Sequence, residues 1–172
     1  MQLETVKESP SERTKVDERA GKYLTFELGA EEFAIQVMKV REIMGVLEIT
    51  AVPQMPPYIK GVINLRGKVI PVVDLRLKFS LPEQDYTQRT CIIVVQVHNG
   101  SNAMLMGIIV DGVSEVLNLA SADIEDTPEF GNSTSPTYLL GMAKTKNKVK
   151  ILLDIDQVLT MSDVGTLADL VH

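Results

Sequence analysis

The sequence predicts an all-β protein made of two small curved sheets or barrels, each of about five short strands. Apolar residues form 45% of the 172-residue chain, yet aromatic residues form 5% and tryptophan is absent. The core must therefore come from Val, Ile, Leu and Met, in short runs separated by Gly, Pro and Asn, which is typical of strands and turns. The chain also contains what reads as the same hairpin twice. Two such units are each too small to bury their apolar faces alone, so we expect them to pack together with a groove between them.

The clearest element is the segment from Tyr58 to Phe79, YIKGVINLRGKVIPVVDLRLKF. It contains two apolar runs, GVINL and KVIPVVDL, joined at Arg66 and Gly67. Glycine adopts positive φ without steric cost and asparagine tolerates it, so Asn64 and Gly67 favour a tight reversal. The sequence therefore predicts a β-hairpin, here called hairpin A, with Arg66 at its tip.

The elements before hairpin A are read from periodicity. The polar, mixed-charge stretch 1–21 is expected to be a mobile tail. Val37, Val40, Ile43 and Met44 fall at helical spacing, which predicts about two helical turns ending at Gly45. In chain order, the remaining predictions are a strand at YLTFEL from Tyr23, a returning strand over Glu32–Val37, a short strand at 46–52, a proline-rich connector at 53–57 and a short helical segment over Asp74–Phe79.

The second half is expected to follow the same plan after a polar linker, Leu81–Gln88. The helix-like spacing returns over Asp111–Leu117. The other predictions are strands at Cys91–Val97 and Ala103–Val110 around an Asn-Gly turn, a loop at 120–136, strands at Tyr138–Lys146 and Lys148–Asp154, and helical turns at Ile155–Met161. The expected organisation is thus a tail at 1–21, one two-part domain at 22–160, and a short C-terminal helix at 161–172.

Two blocks of the chain align with each other in the same order. Residues 61–79 match 141–159 at an offset of 80 without a gap, so that Gly61 meets Gly141 and Asp74 meets Asp154. Residues 31–44 match 104–117 at an offset of 73, so that Glu42 meets Glu115. We read this as structural repetition. The second copy of hairpin A is called hairpin B.

Composition argues against several classes of function. The net charge is −6 and there is no basic block, so nucleic-acid binding is not expected. The single cysteine, Cys91, lies in an apolar run and is expected to be a small core residue, and the lack of disulfides fits a reducing compartment. No run approaches the roughly 20 apolar residues of a membrane helix, and the N-terminus has no signal-peptide core. We therefore expect a cytoplasmic protein.

The sequence shows little reactive chemistry. His98 and His172 have no clustered partners, so neither a metal nor a cofactor site is expected, and no phosphate-binding glycine loop is present. Asp74 and Asp154 could form a catalytic pair, but each more simply caps the helical turn that follows it. Glu42 and Arg66 could form a surface ion pair or be unrelated solvated charges. A binding module is favoured over an enzyme.

These segments resemble the CheW family of chemotaxis coupling proteins. The resemblance spans Lys22 to Leu159 and is carried by YLTFELGAEEFAIQVMKVREI, ITAVPQMPPYIKGVINLRGKVIPVVDLRLKF, GIIVDGVSEVL and KVKILLDIDQVL. It implies two intertwined five-stranded β-barrels on a shared apolar core, with short helices at the connectors and the C-terminus. It also implies a non-catalytic adaptor that links cytoplasmic chemoreceptor tips to the regulatory domain of the histidine kinase CheA. The adaptor would reach the membrane only through the receptors.

The motif match further implies a receptor-facing groove, in which Glu42 orients Arg66. The implied groove residues are Val40, Ile43, Lys60, Gly61, Asn64 and Arg66. With no kinase segment before the domain and no receiver domain after it, a free-standing adaptor fits best. The alternatives are a small-molecule-binding β-barrel protein that uses the inter-barrel groove, and a detached CheA-type regulatory domain.

Overall fold

The computed structural model describes residues 18–127, 138–146 and 148–159, and these form two β-sheets with a few short helices. Repeat 1 comprises β1 Gly21–Leu28, β2 Glu31–Gln36, a 3-10 turn Val37–Lys39, β3 Val40–Gly45, β4 Ile59–Leu65, β5 Lys68–Asp74 and α1 Leu75–Lys78. Repeat 2 comprises β6 Cys91–Asn99, β7 Asn102–Val110, β8 Gly112–Leu119, a 3-10 turn Ser121–Asp123, β9 Ile124–Glu125, β10 Leu139–Thr145, β11 Lys148–Leu153 and α2 Ile155–Val158.

The two repeats exchange strands. The six-stranded sheet has the order β8-β1-β2-β11-β10-β9, and the five-stranded sheet has the order β3-β6-β7-β5-β4. Each sheet is therefore centred on the first hairpin of one repeat and completed by strands of the other. A parallel pair joins the two repeats in each sheet, β2 with β11 and β5 with β7. The predicted repetition is confirmed, since hairpin A (β4–β5) and hairpin B (β10–β11) occupy equivalent positions.

The buried apolar residues form three clusters, one between the two sheets and one within each sheet. The largest lies between them and draws on both, with Phe26, Ile35, Val73, Ile93, Ile108 and Leu153 among its members. The second cluster lies on one face of the five-stranded sheet, and its buried members are all aliphatic: Ile63, Ile70, Val72, Ile92, Val94 and Ile109. The expected shared core is thus present, and Cys91 is buried at its edge.

The corresponding face of the six-stranded sheet carries a smaller and more polar set of buried side chains. Its apolar cluster contains Tyr23, Ala34, Leu119, Ile124, Ala143 and Leu152. Lys150 is 4% exposed there and forms an ion pair with Glu32. The repeat aligns these two residues with Ile70 and Leu105, which pack together with the aliphatic cluster of the other sheet. This face therefore holds a buried ion pair where the corresponding face of the five-stranded sheet holds two hydrocarbon side chains.

The helix predicted over Val37–Met44 is wrong, and so is the helix-like reading of Asp111–Leu117. Beyond a three-residue 3-10 turn, the first segment is β3, paired with β6, and the second is β8, paired with β1. The register of both pairings shifts at a bulge. A bulge inserts an extra residue, so apolar side chains stop alternating strictly and imitate helical spacing.

Other expectations need adjustment. The strand predicted at 46–52 is reduced to one isolated bridge between Thr50 and Val62. The sheets have six and five strands rather than five each, and within the described ranges both keep two edge strands, so the prediction of two closed barrels is not confirmed. Strand β1 begins at Gly21, one residue inside the predicted tail. The loop predicted at 120–136 contains the 3-10 turn Ser121–Asp123 and the short strand β9 in its described part. The predictions for 1–17, for 128–136 of that loop and for the C-terminal helix at 161–172 lie outside the described residues.

Candidate functional site

Hairpin A ends in a two-residue turn. Leu65 pairs with Lys68, and between them Arg66 and Gly67 have φ angles of 52° and 86°. Two positive φ angles suit a tight hairpin because their twist matches that of the strands. The Asn64 side-chain carbonyl Oδ1 accepts a hydrogen bond from the Gly67 amide at 2.8 Å. The predicted turn is confirmed, with Arg66 at its tip.

Arg66 forms a two-pronged ion pair with Glu42. Its Nη1 donates to Glu42 Oε2 at 3.2 Å, and its Nη2 donates to the other carboxylate oxygen. The Arg66 hydrogen bond lowers the pKa of Glu42, and the Glu42 contact raises the pKa of Arg66. Glu42 lies on β3 and hairpin A includes β4, so the pair links the two edge strands of the five-stranded sheet. Arg66 remains 71% exposed and accessible to a partner.

The other predicted residues of β4 are engaged within the protein. Lys60 Nζ lies 3.1 Å from Glu83 Oε2, a residue of the linker that follows α1. Gly61 is buried with φ of +139°, and a Cβ there would stand 2.0 Å from the Thr50 carbonyl oxygen. The Thr50 bridge therefore requires glycine at this position. Lys60 stands six residues from Arg66, or about 20 Å along a strand.

The apolar groove residues differ in accessibility. Val40 is half-buried against the shared core, whereas Ile43 is 45% exposed. Val69 is 52% exposed and pairs with Asn64 across hairpin A, although the sequence analysis did not select it. The ion pair thus joins Glu42 to Arg66 and its turn, with Ile43 next to Glu42 along β3. Lys60 and Gly61 lie further along β4.

The sequence analysis also did not identify a buried arginine, Arg76. The Arg76 side chain is 2% exposed and donates to Asp74 at 2.9 and 3.0 Å and to Asp111 Oδ1 at 3.1 Å. The hydrogen bonds that Arg76 donates to Asp74 are the largest cause of the raised pKa of Arg76. Asp111 also accepts from the Gly29 amide in the β1–β2 turn, at 2.6 Å. The cluster therefore links the end of hairpin A to the other sheet. No local sequence pattern predicts this cluster.

The two helix-capping aspartates are confirmed as caps. Asp74 accepts from the Arg76 amide at 3.0 Å, and Asp154 accepts from the Asp156 amide at 3.2 Å. Asp74 is committed to Arg76, which leaves it unsuited to acid–base work. Among the described side chains, no group of three or more His, Cys, Asp and Glu is arranged to hold a metal ion. In the same ranges, no helix is long and apolar enough to cross a membrane.

Comparisons with known proteins give a consistent result. A family model described as a CheW-like domain matches residues 22–163. The chain is 38% identical over 143 residues to the chemotaxis protein CheW of Klebsiella aerogenes, covering 83% of this chain and 84% of that one. It is 35% identical over 138 residues to CheW of Bacillus subtilis, covering 80% and 86%. The solved structure of the scaffolding protein TtCheW from Thermoanaerobacter tengcongensis has a TM-score of 0.73 and 30% identity, covering 84% of this chain and 95% of that one.

Proposed function

The chain belongs to the CheW-like family, and on that premise we propose that it is a non-catalytic chemotaxis adaptor that couples chemoreceptor tips to the histidine kinase CheA in the cytoplasm. Support comes from the length of the match, since relatives named chemotaxis protein CheW align with most of this chain and most of their own. The fold offers surfaces and ion pairs rather than reactive groups. The small-molecule alternative is not favoured, because the exposed Arg66 tip suits a protein partner better.

We propose further that the receptor docks at the tip of hairpin A. The observation that carries this proposal is the exposed Arg66 guanidinium, held in place by Glu42. An apolar stripe of a receptor helix would lie against Ile43, Val40 and the outward face of β4. Arg66 would donate a charge-assisted hydrogen bond to a receptor carboxylate or carbonyl. Asn64 would hold the turn, with Gly61 and Lys60 on the approach along β4.

The finer architecture also belongs to this proposal. We propose that each sheet acts as a barrel, with the Arg66–Glu42 pair closing the five-stranded one between β3 and β4. Support comes from the aliphatic cluster of the five-stranded sheet, which includes residues from every strand of that sheet. A closed barrel would keep Arg66 at a fixed position relative to Ile43. Receptor binding would then shift how adaptor and kinase pack, which biases a two-state kinase assembly.

The test replaces Arg66 by Ala and by Glu. Losing one charge-assisted contact at an interface is expected to weaken co-sedimentation with receptor signalling fragments about tenfold and to reduce CheA activation. Arg41→Ala is the matched control, because Arg41 is an exposed arginine next to Glu42 that bonds Met38 and Gln96 instead. Circular dichroism checks the fold.

A charge swap separates the two roles of Arg66. Glu42→Arg combined with Arg66→Glu can restore the internal pair but removes the cation from the tip. If Arg66 contacts the receptor, the swap leaves binding as weak as Arg66→Glu does. Wild-type binding by folded Arg66→Ala would contradict the proposed receptor surface.

A further inference from the structure

A polar contact between the two sheets is centred on the side chain of Lys39. Lys39 is the last residue of the 3-10 turn Val37–Lys39, which leads into β3. Its ammonium Nζ lies 2.7 Å from Asp156 Oδ2 on α2 and 3.3 Å from the ring nitrogen Nδ1 of His98 on β6. The main-chain N–H of His98 donates to Asp156 Oδ1 at 2.9 Å. These three residues are called the Lys39 cluster, and they link the turn, β6 and α2.

The contact with Lys39 defines the protonation state of the His98 ring. A lysine ammonium has hydrogen-bond donors and no acceptor, so Nδ1 of His98 accepts this hydrogen bond and carries no proton. The ring is therefore neutral, with its single proton on Nε2. His98 is exposed near the end of β6, so water can deliver a proton to Nδ1. That proton would remove an acceptor of Lys39 and place a second cation beside its ammonium.

Charged groups of both signs surround the Lys39 cluster. On the neighbouring elements they are Arg41, which bonds Gln96 on the side of β6 that His98 shares, Asp154, which caps α2, and Glu18 and Arg19, which line the same cavity as Lys39, Asp154 and Asp156. On β7, the residue opposite His98 is the uncharged Ala103. Among these carboxylates, Asp156 is the one that accepts a hydrogen bond from His98. An imidazolium at His98 would therefore meet Asp156 as its anionic neighbour.

We propose that the Lys39 cluster is a proton-sensitive link, in which protonated His98 replaces Lys39 on Asp156 as the pH falls. The amide and the ring of a histidine are joined through one Cα–Cβ unit, so a carboxylate bonded to the amide lies within reach of the ring. The imidazolium forms a charge-assisted hydrogen bond to Asp156 and repels Lys39. This arrangement requires the proton on Nδ1, so a falling pH favours it. Histidine suits the role because its charge changes between about pH 5 and pH 8.

Release of Lys39 loosens the turn that precedes β3. The last hydrogen bond of this turn runs from the Val40 amide to the Val37 carbonyl, directly beside Lys39. Strand β3 carries Glu42, which holds Arg66, so the link acts on the strand that leads to the tip of hairpin A. The exchange of partners occurs within this chain alone, and it is therefore independent of the proposed receptor contact.

The test measures hydrogen exchange of the Val40 amide by NMR in the full chain. Its protection factor, corrected for the intrinsic effect of pH on exchange, is expected to fall about threefold between about pH 7.5 and pH 5.5, in the range of one exposed ion pair. The ring signals of His98 follow its protonation in the same samples. They can be assigned because the chain has two histidines and His98→Gln removes one set of signals.

Three variants separate His98 from the other groups. His98→Gln keeps a hydrogen-bond acceptor that gains no charge, and is expected to abolish the fall in protection. Lys39→Met removes the ammonium and is expected to give the low protection at both pH values. Asp154→Asn is the matched control, because it removes the neighbouring carboxyl whose raised pKa also responds to acid, and it should retain the threefold fall.

The proposal is overturned by a fall that persists in His98→Gln, by its loss in Asp154→Asn, or by its absence from the unmodified chain. An equal fall at the amide of Ile108, a core residue of β7, would mean that acid opens the whole protein and would also overturn it. A fall confined to the turn, present in the unmodified chain and absent from His98→Gln, supports the proposal.

Discussion

The helical turns that follow the two hairpins occupy equivalent places but use opposite charges. After hairpin A, the cation Arg76 is 2% exposed and bonds Asp74 and Asp111. The repeat aligns it with the anion Asp156, which is 23% exposed and bonds Lys39 at 2.7 Å and the His98 amide at 2.9 Å. Both turns begin with an aspartate cap. The two repeats therefore place a polar link between the sheets at the same position. The charge of the linking side chain and its burial differ between them.

Burial decides how much each link matters. A buried charge that loses its partner keeps its full desolvation cost, whereas a partly exposed charge recovers water. The Arg76 cluster is therefore expected to be a permanent part of the fold. The Lys39–Asp156 link lies nearer to solvent, with the His98 ring nitrogen Nδ1 3.3 Å from Lys39 Nζ. This second link is expected to contribute less.

The largest effect should come from removing the cation of the buried cluster. Arg76→Ala leaves Asp74 buried without its partner and is expected to lower the free energy of unfolding by about 3–5 kcal/mol. The matched change Asp156→Ala is expected to cost about 1 kcal/mol. Urea unfolding followed by circular dichroism measures both. Similar costs for the two variants would mean that the clusters are energetically equivalent after all.

The second prediction makes the polar face of the six-stranded sheet resemble the aliphatic face of the five-stranded sheet. Glu32→Leu with Lys150→Ile gives the six-stranded sheet the residues found at Leu105 and Ile70. Replacing a buried ion pair by hydrocarbons of similar size is expected to leave the free energy of unfolding unchanged or raise it by about 1–4 kcal/mol. Lys150→Ile alone leaves Glu32 without its ion-pair partner and is expected to lower the free energy of unfolding by about 2 kcal/mol. A double variant less stable than the single one would contradict this account.

The third prediction concerns the two caps. Burial, and then repulsion from Asp156, raises the pKa of Asp154. The folded state therefore binds this proton more tightly than the unfolded state, so stability rises as pH falls through the folded-state pKa and levels off below the unfolded one. Asp154→Asn keeps an acceptor without the charge. This variant is expected to have a higher free energy of unfolding at pH 7 and a smaller increase of that free energy as the pH falls. Urea unfolding at pH values from 7 to 4 measures both.

Asp74→Asn provides the contrast for this third prediction. It removes the charge that Arg76 faces, and is expected to lower the free energy of unfolding by about 2–3 kcal/mol. The two equivalent substitutions should thus change stability in opposite directions at pH 7. Equal signs would show that the sequence repeat, rather than the surroundings of each carboxylate, decides the effect.

The smallest effect is expected at Lys60, whose hairpin B counterpart is Leu140. Glu83→Gln releases the Lys60 ammonium from an exposed pair and should strengthen receptor-fragment binding about twofold, within the range of a surface ion pair. Lys60→Gln should weaken it by a similar factor. Co-sedimentation at low salt measures both variants. Unchanged binding in both would remove Lys60 from the proposed receptor surface.

Local chemistry made part of this molecule predictable. Residues that are neighbours in the sequence predict the Asn64–Gly67 turn and both aspartate caps. Alignment of the chain with itself gives the offset of 80 residues. The β3 strand was missed because its bulge imitates helical spacing. Arg76 was missed because its second partner, Asp111, lies 35 residues away. The Arg66–Glu42 pair could not be predicted, since its residues lie 24 positions apart in the sequence and belong to the two edges of one sheet.

The strand exchange between the repeats has a consequence for how the chain reaches its fold. Neither repeat contains a complete sheet. When a ribosome has released only residues 1–90, β1 can pair with β2 and β4 with β5, but the neighbour of β3 and the second neighbours of β1, β2 and β5 do not yet exist. Productive folding must await the second half, and its many long-range pairings suggest a high contact order and slow closure. The same topology suggests that two fragments cut in the linker at 81–88 would each stay unstructured alone, yet reassemble when mixed. The two halves are thus expected to complete each other's sheets, with the linker at 81–88 holding them in one chain.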